Sequence, residues 1–216
     1  MSYGFKVEIW GDYACFSRPE LKVERVSYEV ITPSAVRGIL EAVMWKPAIQ
    51  YFIDEIAVCS PIRFENIRRN EVGFKMNSME PKAATSNREQ RAAMVLKNVR
   101  YVVTVHFKMT NKAGVEDNEG KFTDMIRRRL EKGQNFHMPY LGTREFPARI
   151  RIIDDSGVLP APIDETRTLG LMLYDIDYIT EVDKNGSETV KEFKPVYFMA
   201  RMNHGVIDLR SVEVLR

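Results

Sequence analysis

Alternating apolar and polar positions predict strands in the first two-thirds of the chain. Residues 5–10 (FKVEIW) alternate with a period of two, and residues 100–110 (RYVVTVHFKMT) are rich in β-branched and aromatic side chains. Both segments are therefore predicted strands, and further strands are predicted at 49–58 and 146–153.

Two segments carry the signals of helices. Thr32 and Pro33 supply a capping residue and a first-turn proline, and apolar residues recur at helical spacing until shortly before Pro47. This pattern predicts a helix over about 33–46. A second helix is predicted over 121–132, closed by Gly133.

An insertion over about 61–98 interrupts this plan. Residues 61–74 predict a strand pair or hairpin, 76–86 are polar and rich in structure-breaking residues, and 87–98 predict a short helix. Without the insertion the order of elements is βαββαβ. This order predicts an α+β fold of ferredoxin-like (RRM-like) architecture, with both helices on one face of an antiparallel sheet, in a domain spanning residues 1–153.

The chain changes character after residue 153. A segment rich in Pro and Asp, 154–165, is predicted to be a linker, and short strands are predicted at 169–178, 190–199 and 205–209. Turn signals such as Lys184-Asn185-Gly186 separate these strands. We expect a small antiparallel β domain over 154–216.

Charge is distributed unevenly along the chain, although the net charge is only +2. Lys and Arg outnumber Asp and Glu by nine to four over 63–100 and by eight to three over 121–151, whereas over 152–216 they are outnumbered by seven to twelve. Two basic segments followed by an acidic one are typical of a protein whose first two-thirds face a polyanion.

Other classes of protein are disfavoured by what the sequence contains. Cys15 and Cys59 lie in hydrophobic surroundings and are predicted to be buried thiols rather than a disulfide. The histidines are not clustered with each other or with cysteines, so no metal site and no cofactor are expected. With no apolar run of membrane-spanning length and no signal-peptide core, we expect a cytoplasmic protein.

Several short strings occur in order along residues 1–153 and together resemble one family. They are Gly11-Asp12-Tyr13-Ala14, Val26-Ser27-Tyr28, Thr32-Pro33-Ser34-Ala35, Trp45-Lys46-Pro47, Asn118-Glu119-Gly120-Lys121 and Leu141-Gly142-Thr143-Arg144-Glu145-Phe146. Each string alone is weakly specific, but their common order is specific. The chain resembles the type I-C (Dvulg) branch of the fifth CRISPR-associated protein family, in the RAMP superfamily.

The resemblance implies a function in CRISPR antiviral defence. Members of this branch are endoribonucleases that bind the repeat stem-loop of precursor CRISPR RNA and cleave it without a metal ion. They then retain the 5′ handle in the interference complex, beside its backbone and large subunits. The reaction is attack of the RNA's own 2′-OH on the neighbouring phosphate, which needs a base, an acid and a cation.

The residues that carry this reaction in the family are only partly present here. The family has a phenol or imidazole just before the Trp-Lys-Pro string and a Lys-His pair after the Asn-x-Gly string. The corresponding residues of this chain are Met44, Lys121 and Phe122. Only the lysine is retained, because a thioether and a phenyl ring cannot transfer a proton.

Three hypotheses follow from this departure. In the first, the chain cleaves RNA, either with Tyr13, His137 or Tyr140 supplying the missing proton transfer or slowly, through Lys121 and the geometry of the RNA. In the second, the chain is a structural subunit that binds the handle without cutting. The third, a metal-dependent nuclease using Asp12, Asp117 and Asp124, is disfavoured because these carboxylates lie on separate predicted elements.

RNA-binding residues are predicted wherever arginine, lysine or a large aromatic occurs near the quoted strings or on the insertion. Arginine matches phosphate with a planar pair of donors, tryptophan stacks on bases, and glycine permits close backbone approach. The predicted set is Trp45, Lys46, Arg63, Arg68, Arg69, Arg88, Arg91, Arg127, Arg128, Gly142 and Arg144. The alternatives are a charged hairpin that covers a sheet edge, a solvated helix face, a tryptophan that anchors the helix end in the core, and an Arg144–Glu145 pair that only shapes its loop.

Overall fold

The computed structural model describes residues 4–21, 24–72, 88–153, 158–182 and 188–216. Strands predominate, and they form two sheets accompanied by two helices in these ranges. The strands are β1 (Gly4–Ala14), β2 (Arg25–Val26), β3 (Ile49–Val58), β4 (Phe64–Val72), β5 (Arg88–Met109), β6 (Arg149–Ile153), β7 (Arg167–Val182), β8 (Glu188–Met202), β9 (Val206–Asp208) and β10 (Val214–Leu215), and the helices are α1 (Pro33–Val43) and α2 (Glu119–Glu131).

The larger sheet is organised around β5, a strand of 22 residues. Its C-terminal half pairs antiparallel with β1 and β3, so that the strands lie in the order β6-β1-β5-β3-β9. Its N-terminal half extends beyond them and pairs with β4 and β2. One continuous strand therefore connects the sheet body to a projecting β4–β5 hairpin.

The smaller sheet consists of β10, β8 and β7 in that order. Strands β7 and β8 form a long antiparallel hairpin, and β10 adds two residues to the outer side of β8.

Both helices begin at side-chain caps and pack on one side of the larger sheet. The Thr32 hydroxyl accepts from the Ala35 N–H at 3.2 Å, and the Asn118 side chain accepts from the Lys121 N–H at 2.9 Å, which satisfies otherwise unpaired donors of the first turns. The buried side chains of the helices share one core with alternate residues of the sheet, namely Val36, Ile39, Leu40, Val43, Phe122, Ile126 and Leu130 with Val7, Ile9, Val103 and Val105. Each such burial contributes about 1.5–3 kcal/mol.

Outside the insertion, the predicted strands and helices of residues 1–153 are confirmed with adjusted ends. Strand β1 extends to Ala14, α1 ends at Val43 rather than near residue 46, and α2 begins at Glu119. Strands β7 and β8 contain the predicted 169–178 and 190–199. The two-residue strands β2 and β10 were not predicted, since two residues carry no periodic signal.

Three predictions in the insertion and tail are wrong. Residues 88–98 belong to β5 rather than to a short helix, because pairing with β4 outweighs the helix propensity of a segment rich in Arg, Gln, Ala and Met. Residues 64–72 are a single strand, whose hairpin partner is β5. The predicted strand 205–209 joins the larger sheet as β9, paired with β3, and not the tail sheet. The predicted loop 76–86 lies outside the described residues, as do residues 154–157 of the predicted linker.

The two cysteines are free thiols. Cys15 is buried and Cys59 is half-buried, so the prediction of two buried thiols holds fully for Cys15 only. Burial raises the pKa of both thiols, which keeps them protonated and unreactive near neutral pH.

Neither helix of the described ranges is long and apolar enough to cross a membrane.

Candidate nucleic-acid interface

The C-terminal end of α1 is held by groups from three other segments. The Ala42 carbonyl accepts from the backbone N–H of Phe136 at 2.8 Å, and the Val43 carbonyl accepts from the Arg129 guanidinium at 2.7 Å. The Met44 carbonyl accepts from the Tyr51 hydroxyl at 2.9 Å. These bonds satisfy carbonyls that a helix end leaves unpaired, and they fix the loop after α2 against the end of α1.

Large apolar side chains are exposed around this helix end. Trp45 is 62% exposed, Phe136 82% and Met138 65%. Trp45 therefore does not anchor the helix end in the core. Exposed aromatic rings on a fixed backbone are suited to stacking on unpaired bases.

His137 lies in the same place. Its backbone N–H also reaches the Ala42 carbonyl, at 3.4 Å, and its ring centroid lies 5.9 Å from that of Phe136. The imidazole is exposed, so it is free to contact a ligand. This backbone contact with Ala42 places His137 next to the segment that contains Met44. Met44 occupies the position at which the family has its first proton-transfer group.

Lys121 lies in the first turn of α2, with its ammonium directed back to Asp117. The Lys121 Nζ to Asp117 Oδ1 distance is 2.9 Å. The Asp117 pKa is lowered by this ammonium first, then by the Gly114 N–H, and it is also lowered by the charge of Lys46. Lys121 contacts the Asp117 carboxylate, and Lys46 lies near enough for its charge to act on the same group, so the predicted cation lies near the segment that follows α1. We call the exposed residues Trp45, Lys46, Lys121, Phe136, His137 and Met138 the α1-end cluster.

The two altered family positions belong to the core. Met44 is 1% exposed and Phe122 is 2% exposed, and both lie in the main apolar cluster. Neither side chain is available to a substrate.

The other two predicted surrogates lie elsewhere. The Tyr13 hydroxyl donates to Glu65 at 3.4 Å, and its ring packs 6.0 Å from Phe146 at the base of the β4–β5 hairpin. Tyr140 is half-buried and lines a cavity of about 590 Å³ between α1 and β7. The structure therefore places only His137 of the three in the α1-end cluster.

The β4–β5 hairpin sorts its predicted arginines onto two faces, because side chains alternate along a strand. Arg69 and Arg91 lie opposite each other in the register, on a face that also carries acidic residues. Arg69 pairs with Glu145, and Arg91 pairs with Glu89 at 2.8 Å. These two guanidinium groups are already neutralised within the protein.

Arg68 and Arg88 lie on the other face, which we call the open face. It is formed by Phe64, Asn66, Arg68, Asn70, Val72, Arg88, Gln90, Ala92 and Met94. The open face contains no acidic residue, and within the described ranges neither arginine makes an ion pair. It therefore offers two unneutralised guanidinium groups beside exposed apolar side chains.

The remaining predicted arginines are exposed but scattered. Arg127 and Arg128 lie on the outer side of α2, whereas the next residue, Arg129, turns inward to α1. Arg63 is exposed at the start of β4, and its carbonyl accepts from the Lys97 N–H at 2.9 Å. Arg144 is exposed in the loop before β6.

Gly142 makes its close approach to the protein's own backbone. Its φ is +84°, and a Cβ atom would lie 1.9 Å from the Cys15 carbonyl oxygen. Only glycine fits there. The expected Arg144–Glu145 pair is not formed, because Glu145 pairs with Arg69 and accepts from the Thr143 hydroxyl at 3.3 Å.

Sequence reasoning missed three contributors to this region. Phe136 and Met138 flank His137, and two exposed apolar residues on either side of a histidine in a loop are a signal that sequence inspection can find. Arg129 was not in the predicted set, because its inward contact with α1 depends on tertiary packing. No group of three or more His, Cys, Asp or Glu residues that could hold a metal ion occurs within the described part of the chain.

Comparison with known proteins gives consistent results. A family model described as CRISPR-associated protein (Cas_Cas5) matches residues 4–210. A relative from Mannheimia succiniciproducens, named CRISPR pre-crRNA endoribonuclease Cas5d, is 47% identical over 97% of this chain and 96% of its own length. A Thermus thermophilus relative of the same name is 40% identical over 94% and 90%.

Solved structures share the fold. A crystal structure described as a CRISPR-associated protein has a TM-score of 0.71 at 22% identity, covering 100% of this chain and 97% of that one. A functionally uncharacterized protein from Streptococcus mutans has a TM-score of 0.69 at 21% identity, covering 97% and 93%.

Proposed function

The chain belongs to the Cas5 family of CRISPR-associated proteins, in its type I-C branch (Cas5d), and on that premise we propose that it binds the repeat stem-loop of precursor CRISPR RNA and cleaves it without a metal ion. The observation that carries the proposal is the α1-end cluster. It gathers an exposed indole, two ammonium groups and an exposed imidazole at the end of one helix. The names of the two relatives support the same reaction.

The cleavage needs three chemical groups. A base removes the proton from the 2′-OH, the 2′-oxygen bonds to the adjacent phosphorus, and the bond to the 5′-oxygen breaks as that oxygen receives a proton. The products are a 2′,3′-cyclic phosphate and a free 5′-OH. A cation stabilises the additional negative charge on the phosphate oxygens in the transition state.

We assign these tasks to residues of the α1-end cluster. Lys121, with Lys46 beside it, supplies the positive charge when the RNA phosphate displaces Asp117 from the ammonium. His137 removes the proton from the 2′-OH, since imidazole is the side chain that exchanges protons most readily near neutral pH, and water supplies the proton that the leaving 5′-oxygen receives. Trp45 stacks on a base next to the cut and positions it.

Binding energy comes from a second surface in this proposal. Arg68 and Arg88 of the open face contact backbone phosphates, and Arg63, Arg127, Arg128 and Arg144 add positive charge elsewhere on the surface. After cleavage the chain retains the 5′ handle within a type I-C interference complex, beside its backbone and large subunits. Arg69 and Arg91 hold the hairpin in shape through their own carboxylate partners.

The architecture is proposed to be ferredoxin-like over residues 1–153. The order β6-β1-β5-β3, with α1 following β1 and α2 following β5, supports this assignment. The hairpin insertion at about 61–98 and a small β domain over 154–216 complete the proposed organisation.

A second candidate function is favoured by the buried positions of Met44 and Phe122. If no group replaces the lost phenol and imidazole, the chain is a catalytically silent subunit that only binds the 5′ handle. The two functions share the RNA-binding surface and differ only at His137 and Lys121.

One experiment separates these functions. The purified protein is incubated with its repeat RNA in EDTA, and the rate and the product ends are measured. We expect cleavage in EDTA that falls about 10²–10³-fold in Lys121→Ala and is unchanged in Lys132→Ala, an exposed lysine just after α2.

Each other outcome selects a different function. Tight binding of the intact repeat without a cut would select the silent subunit. Cleavage only after a divalent ion is added would select a metal-dependent nuclease, and an equal loss in both lysine variants would contradict the assignment of Lys121.

A further inference from the structure

A buried carboxylate lies on the side of the larger sheet that faces away from both helices. Along β1, Val7 and Ile9 point into the core beneath the helices, so Glu8 and Trp10 point to the opposite side. Glu8 is nevertheless 0% exposed. A carboxylate in that environment requires charged or hydrogen-bonding partners.

Two arginines supply those partners. The Arg100 Nε donates to Glu8 Oε1 at 2.5 Å, and the Arg151 Nε donates to Glu8 Oε2 at 2.5 Å. One guanidinium balances Glu8, and the second, together with Arg149 on the neighbouring strand, outweighs Asp12, the other carboxylate at this place. Each guanidinium has five N–H donors, and within the described residues each uses one. The terminal nitrogens of two fixed guanidinium groups are therefore available to an anion.

These groups line a cavity of about 400 Å³. Its other lining residues are Trp10, Gly11, Asp12, Ser60, Asn98 and Val99. The Arg151 guanidinium lies 5.9 Å from the centroid of the Trp10 ring, so the cationic and aromatic groups face the same space. Arg149, exposed and opposite Trp10 in the register, adds a further positive charge at the rim.

The cavity differs in kind from a simple phosphate site. A volume of about 400 Å³ lies in the range of small-molecule pockets and exceeds what one phosphate needs. An indole in its wall offers a stacking surface. The Asp12 carboxylate and the Asn98 amide supply acceptors of the kind that bind a ribose hydroxyl.

We propose that this cavity binds one nucleotide of a single-stranded RNA, with its phosphate on Arg100 and Arg151 and its base against Trp10. The inference rests on the proposed function only in that the chain binds RNA, and it does not depend on cleavage. The cavity and the α1-end cluster lie on opposite sides of the sheet. An RNA strand that occupied both the cavity and the α1-end cluster would pass around an edge of the larger sheet.

The presence of only two tryptophans makes a direct test possible. In a Trp45→Phe protein, Trp10 is the sole tryptophan, and its fluorescence reports contact with a base. We titrate this protein with a six-nucleotide oligouridylate RNA, which cannot form a stem-loop, and expect saturable quenching. Introducing Arg151→Gln should weaken the affinity roughly ten- to a hundredfold, whereas Arg216→Gln, at an exposed site on another surface, should leave it unchanged.

A second variant guards against misfolding. Arg151→Lys keeps the charge opposite Glu8 but removes the paired donors, so the affinity should still fall. Absence of quenching, or quenching that Arg151→Gln and Arg151→Lys leave unchanged, would overturn the inference. Quenching by inorganic phosphate alone at the same concentrations, or equal affinity for the matching DNA, would also overturn it.

A separate binding measurement distinguishes failure of this inference from failure of the proposed function. Binding of the repeat stem-loop by the unaltered protein is measured separately. If the protein binds the stem-loop but Trp10 is not quenched, the nucleotide site is refuted and the proposed function stands. If Trp10 is quenched but the stem-loop is not bound, the proposed function is refuted and the nucleotide site stands.

Discussion

The α1-end cluster and the open face of the β4–β5 hairpin are both exposed and basic, but they are built differently. At the α1 end, hydrogen bonds from the loop after α2, from α2 and from β3 hold the carbonyls of residues 42–44, and Lys121 is paired with Asp117. On the open face the arginines project from the β4–β5 hairpin and, among the residues that the structure describes, are paired with no carboxylate. Precise positioning suits chemistry, whereas unpaired charge suits binding to a flexible polyanion.

The hairpin shows how strand register decides the availability of a charge. Arg68 and Arg69 are neighbours in sequence, yet Arg69 pairs with Glu145 and Arg68 makes no ion pair among the described residues. A pair of adjacent arginines on a strand therefore represents one candidate RNA contact and one structural contact. The four predictions that follow test this division of tasks.

The largest effect is expected at His137. Replacing it with alanine removes the one exposed proton-transfer group of the α1-end cluster, so the single-turnover cleavage rate should fall about 10²–10⁴-fold. Binding of the repeat should change little. His204→Ala, at an exposed histidine paired with Asp164, is the control. An unchanged cleavage rate in His137→Ala would contradict the assignment of catalysis to the α1-end cluster.

The core role of Phe122 predicts a large effect on stability. Phe122→Ala should lower the free energy of unfolding by about 3–5 kcal/mol, as for other buried phenylalanines. Phe136→Ala, at an exposed position in the loop after α2, should change it by less than about 0.5 kcal/mol. Urea denaturation measures both. Equal losses would mean that Phe136 packs in the core and is not available to RNA.

Trp45 should contribute to binding rather than to folding. Its replacement by alanine should weaken repeat binding by about 1–3 kcal/mol, the usual contribution of one stacked base. The midpoint of thermal unfolding should shift little because the side chain is 62% exposed. A large drop in that midpoint with unchanged affinity would instead identify Trp45 as a structural residue.

The smallest effect separates the two faces of the hairpin. Arg68→Gln should reduce the slope of log affinity against log salt by about one, as expected for loss of one phosphate contact. Arg69→Gln removes the same charge, but that charge is already paired with Glu145, so the slope should change less. Equal slopes for the two variants would refute the assignment of the open face to RNA.

Much of the fold could be predicted because its signals are local. The cap at Thr32, the apolar spacing of α1 and the alternation of β1 and of the second half of β5 all act within about ten residues. The first half of β5 could not be predicted, since its residues favour a helix locally and become a strand only through pairing with β4. Strand β9 likewise depends on its pairing with β3.

The candidate site was predictable in parts. Lys121, Met44 and Phe122 follow from the resemblance to the family, and His137 was one of three possible replacements. The choice among those three required the tertiary contact between the loop after α2 and the end of α1. The cavity around Glu8 was not anticipated, because Arg100 and Arg151 are separated from Glu8 by 92 and 143 positions in the chain.

The most direct test of the central claim uses the RNA rather than the protein. Repeat RNA and the same repeat with 2′-O-methyl groups at every position are each incubated with the protein in EDTA, and binding and cleavage are measured together. We predict that both bind and that only the unmodified RNA is cut, with a 2′,3′-cyclic phosphate on the product. Cleavage of the methylated RNA, or binding of both without any cut, would contradict catalysis by this chain through its substrate's 2′-OH.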